Sequence, residues 1–184
     1  MAKLTFIFSS MNSGKTLALL TKNFMLRERG YKTLLIKPEL DDRSFKISSR
    51  IGIEAECQLL SHSEFVSSGV DPSNPVYDYI LVDEAQFLTR EQVWDLSDLV
   101  DYYNIHVICY GLKLNWKAEL FEGSKALMEL ADELIQMDSI CKETNNPALF
   151  HHKISGSSEA TIETGFEEMY SAVSRKVWKE KRNR

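Results

Sequence analysis

The sequence has no long hydrophobic run. None of its apolar stretches approaches the roughly 20 residues that a membrane-spanning helix needs, so we expect no membrane association. Residues 1–8 carry one lysine and a short apolar run without a small-residue cleavage site, so we also expect no secretion signal.

Cysteine is scarce. The three cysteines, Cys57, Cys109 and Cys141, are an odd number at wide spacing. Such a set does not suit a disulfide framework and is typical of reduced thiols. We therefore expect a cytoplasmic protein.

Positive charge is in deficit. Lysine and arginine number 22 and aspartate and glutamate 27, which gives a net charge of −5. Proteins that grip nucleic acid nonspecifically are usually basic, so we expect no nucleic-acid partner. With 184 residues, 43% of them hydrophobic, the chain is long enough to bury a core without disulfides.

Short apolar runs alternate with helical patterns along the chain. Strand-like runs span residues 3–8, 33–37, 79–82 and 106–110. Predicted helices follow the first, third and fourth runs, with core faces at Leu17, Leu20 and Phe24 in the first and Val93, Leu96 and Val100 in the second. Gly30 suits the end of the first helix, Thr89 and Gln92 suit a capping box before the second, and the third covers about 122–131. The alternation predicts an α/β fold with a parallel sheet flanked by helices.

Regularity weakens after residue 141. The stretch 142–168 is too long for an ordinary connection, which indicates a functional lid or a small separate subdomain. We therefore predict two units, 1–140 and 141–184. The basic end, residues 175–184, is predicted to be solvated and partly helical, with a nucleic-acid arm as the alternative.

A phosphate-binding loop is predicted directly after the first strand. Its residues are Ser9, Ser10, Met11, Asn12, Ser13, Gly14, Lys15 and Thr16. The Gly-Lys-Thr end opens a helix, where backbone N–H groups can meet phosphate oxygens. Lys15 would reach the β and γ phosphates, and the Thr16 hydroxyl would ligate Mg²⁺. Ser9 replaces the usual first glycine of such a loop.

Two carboxylates end the third strand-like run. Asp83 is expected to contribute to the Mg²⁺ site beside the phosphate loop, and Glu84 to accept a proton from an attacking hydroxyl or water. These residues define a P-loop NTPase-like protein. A kinase for a small acceptor, a nucleic-acid motor and a nucleotide-dependent switch remain open at this point.

The two motifs resemble those of the bacterial and cellular-type thymidine kinases. The resemblance rests on Phe8–Thr16 and on Asp83-Glu84-Ala85-Gln86-Phe87, and further matches run in order from about residue 3 to 141. It implies ATP with Mg²⁺ as phosphoryl donor, thymidine as acceptor, deoxyuridine as a second acceptor, and a homotetramer. Glu84 would be the catalytic base. The nucleotide site would consist of the phosphate loop together with Asp83, Glu84, Ala85 and Gln86.

The resemblance also implies a set of nucleoside contacts. Met11, Phe87, Leu112, Trp116 and Phe121 would surround the thymine, and Gly165 and Tyr170 would belong to a lasso-type loop that covers it. Ordinary core packing is the alternative for each aromatic residue taken singly. Arg43 is expected to stabilise charge on the transferred phosphoryl, and a solvated loop arginine is the alternative.

The C-terminal end departs from the family. Relatives close the lasso with a four-ligand zinc site, but only Cys141 remains here, with Glu143 or Thr144, Ser174 and Val177 at the other ligand positions. His151 and His152 are adjacent and would point to opposite faces. We expect no zinc and a more mobile lid at 154–169. A degenerate nucleotide-binding relative and a nucleic-acid-stimulated ATPase stay as alternative functions.

Overall fold

A computed structural model describes residues 1–39, 44–71, 76–154 and 169–182. The strands within these ranges are β1 (Leu4–Ser9), β2 (Thr33–Pro38), β3 (Lys46–Ser48), β4 (Glu54–Glu56), β5 (Gln58–Leu60), β6 (Tyr79–Val82), β7 (His106–Leu112), β8 (Glu133–Gln136), β9 (Phe150–Lys153) and β10 (Tyr170–Val173). The α-helices are α1 (Lys15–Glu28), α2 (Arg90–Tyr103), α3 (Glu122–Leu130) and α4 (Arg175–Arg182), with 3₁₀ turns at Val66–Gly69 and Ala85–Phe87.

Six strands form one parallel sheet in the order β5-β2-β6-β7-β1-β8. β1 lies between β7 and β8, with Leu4 opposite Val107 and Thr5 opposite Glu133. Since every pairing in this sheet is parallel, the carboxyl ends of β1 and β6 lie at the same edge. The predicted phosphate loop and the predicted carboxylates therefore meet there. This confirms the α/β fold.

Helices cover both faces of the sheet. Successive residues of a strand point to opposite faces, so Ile80 and Val82 join the core beneath α2 and α3, whereas Leu81 joins the core beneath α1. Both cores are built from buried aliphatic side chains, which explains the near-continuous apolar runs of β6 and β7. The fold is a three-layer α/β arrangement.

The predicted ends of the first two helices are confirmed. The Thr89 hydroxyl accepts the Gln92 N–H, and the Gln92 side chain accepts the Thr89 N–H, which forms the capping box. Gly30, with φ 85°, ends α1, and the Tyr31 N–H reaches back to the Leu26 carbonyl as in a Schellman motif.

The predicted apolar face of α1 is right for Leu20, which is buried, and wrong for Phe24. The spacing of Leu17, Leu20 and Phe24 places Phe24 in the core of α1, but its side chain is 64% exposed. Leu19, Leu20 and Leu26 are the leucines of α1 that are buried against the sheet. The apolar residues of α1 therefore lie on two faces of the helix. One face packs against the sheet, and Phe24 and Met25 are exposed on the other.

The C-terminal region has its own small core. Cys141, Ala148, Val173, Val177 and Trp178 form this cluster, beside the antiparallel pair β9 and β10. The basic end is helical, as predicted, but it is not simply solvated, since α4 buries two of these side chains. The boundary at residue 140 stays a prediction. Among the described residues, no helix has the length and apolar character needed to cross a bilayer.

Candidate active site

The loop between β1 and α1 has the backbone of an anion site. Asn12 and Gly14 have positive φ values of 62° and 82°, which turn the chain sharply into the helix. Gly14 precedes α1 without a side-chain cap. The first N–H groups of a helix have no partner within the helix and carry its positive dipole end. The geometry suits the predicted phosphate site.

The hydroxyls of Ser9 and Ser10 donate hydrogen bonds to the segment that follows β8. Ser9 Oγ donates to the Met137 carbonyl at 2.8 Å, and Ser10 Oγ donates to Ser139 Oγ at 2.6 Å. Both serines are buried. Ser9, at the place of the usual glycine, therefore ties the loop to the segment after β8. That these serines contact ATP stays a prediction, and their side chains already have protein partners.

Lys15 lies inside the loop. Its Nζ donates to the Ser10 carbonyl at 2.7 Å and to Ser13 Oγ at 3.4 Å. Burial lowers the pKa of Lys15, and the charges of Glu84 and Asp83 oppose that shift. The ammonium is thus held between the phosphate loop and the two carboxylates, where it can meet an anion.

Thr16 and Asp83 bring two oxygen ligands together. Thr16 Oγ1 donates to Asp83 Oδ2 at 3.1 Å, and Asp83 is buried. Burial and the neighbouring Glu84 raise the pKa of Asp83 to about 7. A bound cation would favour the ionised form of this carboxylate, and hard oxygen donors are what Mg²⁺ prefers. The described residues contain no cluster of three His, Cys, Asp or Glu side chains, but a Mg²⁺ site needs only one or two carboxylates beside substrate phosphates. The residues present therefore fit Mg²⁺.

Glu84 occupies a strained backbone position. It lies in the left-handed region with φ 51° and ψ 36°, between β6 and the turn Ala85–Phe87. A non-glycine residue there costs free energy, and such strain is often found at functional sites. Gln86 Nε2 donates a short hydrogen bond to the Glu84 carboxylate. The turn Ala85–Phe87 therefore fixes the orientation of the Glu84 carboxylate through Gln86.

Gln86 links Glu84 to the next strand. Its Oε1 accepts the Leu112 N–H at 2.9 Å, and the residue is 2% exposed. Ser124 Oγ donates to the Leu112 carbonyl at 2.6 Å, so both backbone polar groups of Leu112 are fixed. Gly111 allows this approach, because a Cβ there would lie 2.7 Å from Gln86 Oε1. The nucleotide contacts of Ala85 and Gln86 stay a prediction. The structural roles of Gln86, Gly111 and Ser124 follow from contacts between distant parts of the chain, and no motif in the sequence indicates them.

The predicted nucleoside residues fall into two aromatic groups. Phe87 and Phe121 meet edge to face with their centroids 5.7 Å apart. Trp116 and Tyr170 both approach Lys153, whose Nζ lies 5.6 Å and 5.9 Å from the two ring centroids. All four aromatic side chains are half-buried, as are Met11 and Leu112, which suits the lining of an open pocket. Arg43, Gly165 and most of the predicted lid at 154–169 lie outside the described residues.

Trp116 sits on a tightly held turn. Asn115 Oδ1 accepts the N–H groups of Lys117 and Glu119, each at 2.9 Å. Trp178 Nε1, from α4, donates to the Trp116 carbonyl at 2.9 Å. The turn that carries the predicted thymine contact is therefore anchored to the C-terminal region.

The positions of the family's zinc ligands hold a hydrogen-bonded cluster. Thr144 Oγ1 donates to Ser174 Oγ at 3.3 Å, and Cys141 is buried beside them. Burial would raise the pKa of Cys141, but hydrogen bonds to its sulfur from Thr144, Ser174 and Glu143 together lower it to about 7. The absence of zinc stays a prediction.

Comparison with known proteins places these features in one family. A sequence model of thymidine kinase matches residues 2–178. A thymidine kinase of Xanthomonas axonopodis is 40% identical over 97% of this chain and 90% of its own length. Thymidine kinases of Pasteurella multocida and Photobacterium profundum are 42% and 36% identical, each over 98% of both chains. The similarity extends from the phosphate loop into the C-terminal region.

Proposed function

Because this chain belongs to the thymidine kinase family, we propose that it transfers the γ-phosphoryl of ATP to the 5′-hydroxyl of thymidine. The products are thymidine monophosphate and ADP. The observation that carries this proposal is the meeting of Lys15 and Thr16 with Asp83 and Glu84 at one edge of the sheet. This arrangement supports a phosphate site beside a carboxylate that can act as a base.

The donor side uses the start of α1. The N-terminal N–H groups of the helix and the Lys15 ammonium bind the phosphate oxygens. Thr16 and Asp83 would hold Mg²⁺, which supplies positive charge against the phosphates when bound. Because the pKa of Asp83 is raised to about 7, neighbouring positive charge favours its ionised form.

Glu84 serves the acceptor side as general base. The 5′-oxygen of thymidine attacks the γ-phosphorus, the bond from that phosphorus to the bridging oxygen breaks, and ADP leaves with the bond electrons. The hydroxyl proton passes to the Glu84 carboxylate. Gln86 keeps that carboxylate oriented through its own bond to Leu112. Catalysis is then mostly positioning and electrostatic stabilisation, to which Arg43 contributes positive charge.

The half-buried aromatic groups bind the flat base. Phe87 and Phe121 form one side of the pocket and Trp116 and Tyr170 another, with Met11, Leu112 and Gly165 completing it. Aromatic and apolar contact with a few fixed polar groups is the usual way that proteins hold such a ligand. Deoxyuridine, which lacks only a methyl group, is a second acceptor.

We propose in addition a cytoplasmic homotetramer without a nucleic-acid partner. Large apolar side chains are exposed on α1 and on the β3–β4 hairpin that packs against it, at Phe24, Met25, Phe45, Ile51 and Ile53. Exposed apolar side chains on neighbouring elements are typical of self-association surfaces. Light scattering coupled to size-exclusion chromatography gives the subunit number, and a monomeric mass would contradict the assembly.

An acceptor panel tests the activity. Each common deoxynucleoside is incubated with ATP and Mg²⁺, and the nucleoside monophosphate and ADP are separated and quantified. We expect thymidine to give the highest kcat/KM and ADP to form only with an acceptor. ADP formation that ignores thymidine and rises with DNA would instead indicate a nucleic-acid-stimulated ATPase, and tight thymidine binding without turnover a degenerate relative.

A further inference from the structure

His151 makes two hydrogen bonds that join distant parts of the chain. Its Nε2 accepts the Met11 N–H at 3.0 Å, and its Nδ1 lies 3.1 Å from the Leu114 carbonyl. The side chain is 3% exposed. The partners are 140 and 37 residues away in sequence.

The two bonds define the chemical state of the ring. Because the Met11 N–H donates to Nε2, that nitrogen carries no proton, so Nδ1 carries it and donates to the Leu114 carbonyl. The ring is therefore neutral. Burial, together with the charge of Lys15, lowers the pKa of His151 to about 4, which agrees with this state.

Each partner belongs to a different half of the site. Met11 lies in the phosphate loop, and its N–H is already used by His151, so the loop presents its later N–H groups to phosphate. Leu114 begins the turn that carries Trp116, and it pairs with Leu120 across that turn. One imidazole thus spans the donor side and the acceptor side.

We propose that His151 is a positioning residue that holds the phosphate loop and the Trp116 turn in register. The proposal rests on the proposed function for the identity of the two ligands. A histidine buried only for packing would need neither bond to a functional loop. His152, the next residue on β9, gives a comparison, because it is half-buried and successive side chains of a strand point to opposite faces.

Two amide substitutions separate the halves of this bridge. In His151→Gln the amide reaches the position of Nε2 and can still accept the Met11 N–H. In His151→Asn the amide reaches only the position of Nδ1, which keeps the Leu114 bond and leaves the partly buried Met11 N–H without its acceptor. His152→Gln is the matched control. The three variants and the wild type are compared in Mg²⁺–ATP binding by titration calorimetry without thymidine, and in kcat and thymidine KM.

We expect His151→Asn to bind ATP about ten-fold more weakly than the wild type, because ATP must then order a phosphate loop that has lost one anchoring hydrogen bond. His151→Gln should stay within about three-fold in ATP binding and His152→Gln should match the wild type. Thermal melting shows whether each variant is folded at the assay temperature. Equal ATP affinity in the Asn and Gln variants, or an equal loss in His152→Gln, would overturn the proposal. ATP binding is read without an acceptor, so a wild type that binds ATP but fails to phosphorylate thymidine would refute the proposed function and leave this comparison intact.

Discussion

Gly111→Ala acts directly on the hydrogen bond between Gln86 and Leu112. A Cβ at this position would lie 2.7 Å from Gln86 Oε1 and 3.1 Å from the Gln86 backbone nitrogen. Contacts under about 3 Å are not tolerated, and the backbone nitrogen cannot move without the turn that carries Glu84. The Gln86 side chain must therefore shift and release the Leu112 N–H.

The expected magnitude follows from the bonds that are lost. Leaving the partly buried Leu112 N–H without its acceptor costs about 2 kcal/mol of the free energy of unfolding, which for a chain of this size lowers the melting temperature by about 4–8 °C. Glu84 loses its orienting partner, so we expect kcat for thymidine phosphorylation to fall at least about ten-fold. ATP affinity should change little, because the phosphate loop lies on β1 and α1.

Differential scanning fluorimetry and steady-state kinetics measure the two effects. Gly69→Ala is the control, because nothing lies within 4 Å of a Cβ there and its φ is not positive; we expect wild-type stability and activity. Full activity and stability in Gly111→Ala would refute the role given to Gln86. A stability loss with unchanged kcat would show that Glu84 does not depend on this hydrogen bond.

Three further changes test other parts of the structure. Burial lowers the pKa of His151 to about 4, below its ordinary 6.5, so the unfolded chain binds the extra proton between these values and folded stability falls as pH drops. The stability difference between the wild type and His151→Gln, measured by urea unfolding, should therefore shrink by about 2 kcal/mol from pH 7 to pH 5, and a constant difference would contradict this. Trp178→Phe keeps an aromatic ring but loses the hydrogen bond to the Trp116 carbonyl. We expect the free energy of unfolding to fall by about 1 kcal/mol and the thymidine KM to rise. An unchanged KM would show that nucleoside binding does not depend on this hydrogen bond. Asp83→Asn removes a buried charge, so the melting temperature of the ligand-free protein should rise at pH 8. Calorimetry should show Mg²⁺–ATP binding weakened at least about ten-fold. A lower melting temperature would show that the carboxylate stabilises the fold.

Local sequence patterns predict an element correctly where all the residues that determine it are close together in the chain. The capping box at Thr89 and Gln92 and the glycine end of α1 depend on residues a few positions apart, and both are confirmed. Phe24 shows the limit of such patterns, because apolar spacing does not say which surface a side chain faces. The short, polar strands β3 and β4 had no apolar run to mark them.

The sequence motifs predict which segments form the site, but not the hydrogen bonds from distant residues that hold those segments in place. Thr16 donates to Asp83, because parallel strands end at one edge of the sheet and the two motifs follow such ends. The Met11 bond to His151 joins residues 140 positions apart, and no local pattern carries it. The burial of Trp178 could not be predicted from its strongly charged neighbours, because it results from packing against the C-terminal core.

The rate of thymidine phosphorylation by Glu84→Gln tests the role of Glu84 as general base. The amide keeps the size of the side chain and can still pair with Gln86, but it cannot accept the hydroxyl proton. We predict unchanged Mg²⁺–ATP binding and a kcat lower by about 10²-fold or more, with Glu91→Gln, an exposed site on α2, as the unaffected control. A Glu84→Gln protein that phosphorylates thymidine at the wild-type rate would show that Glu84 is not the general base.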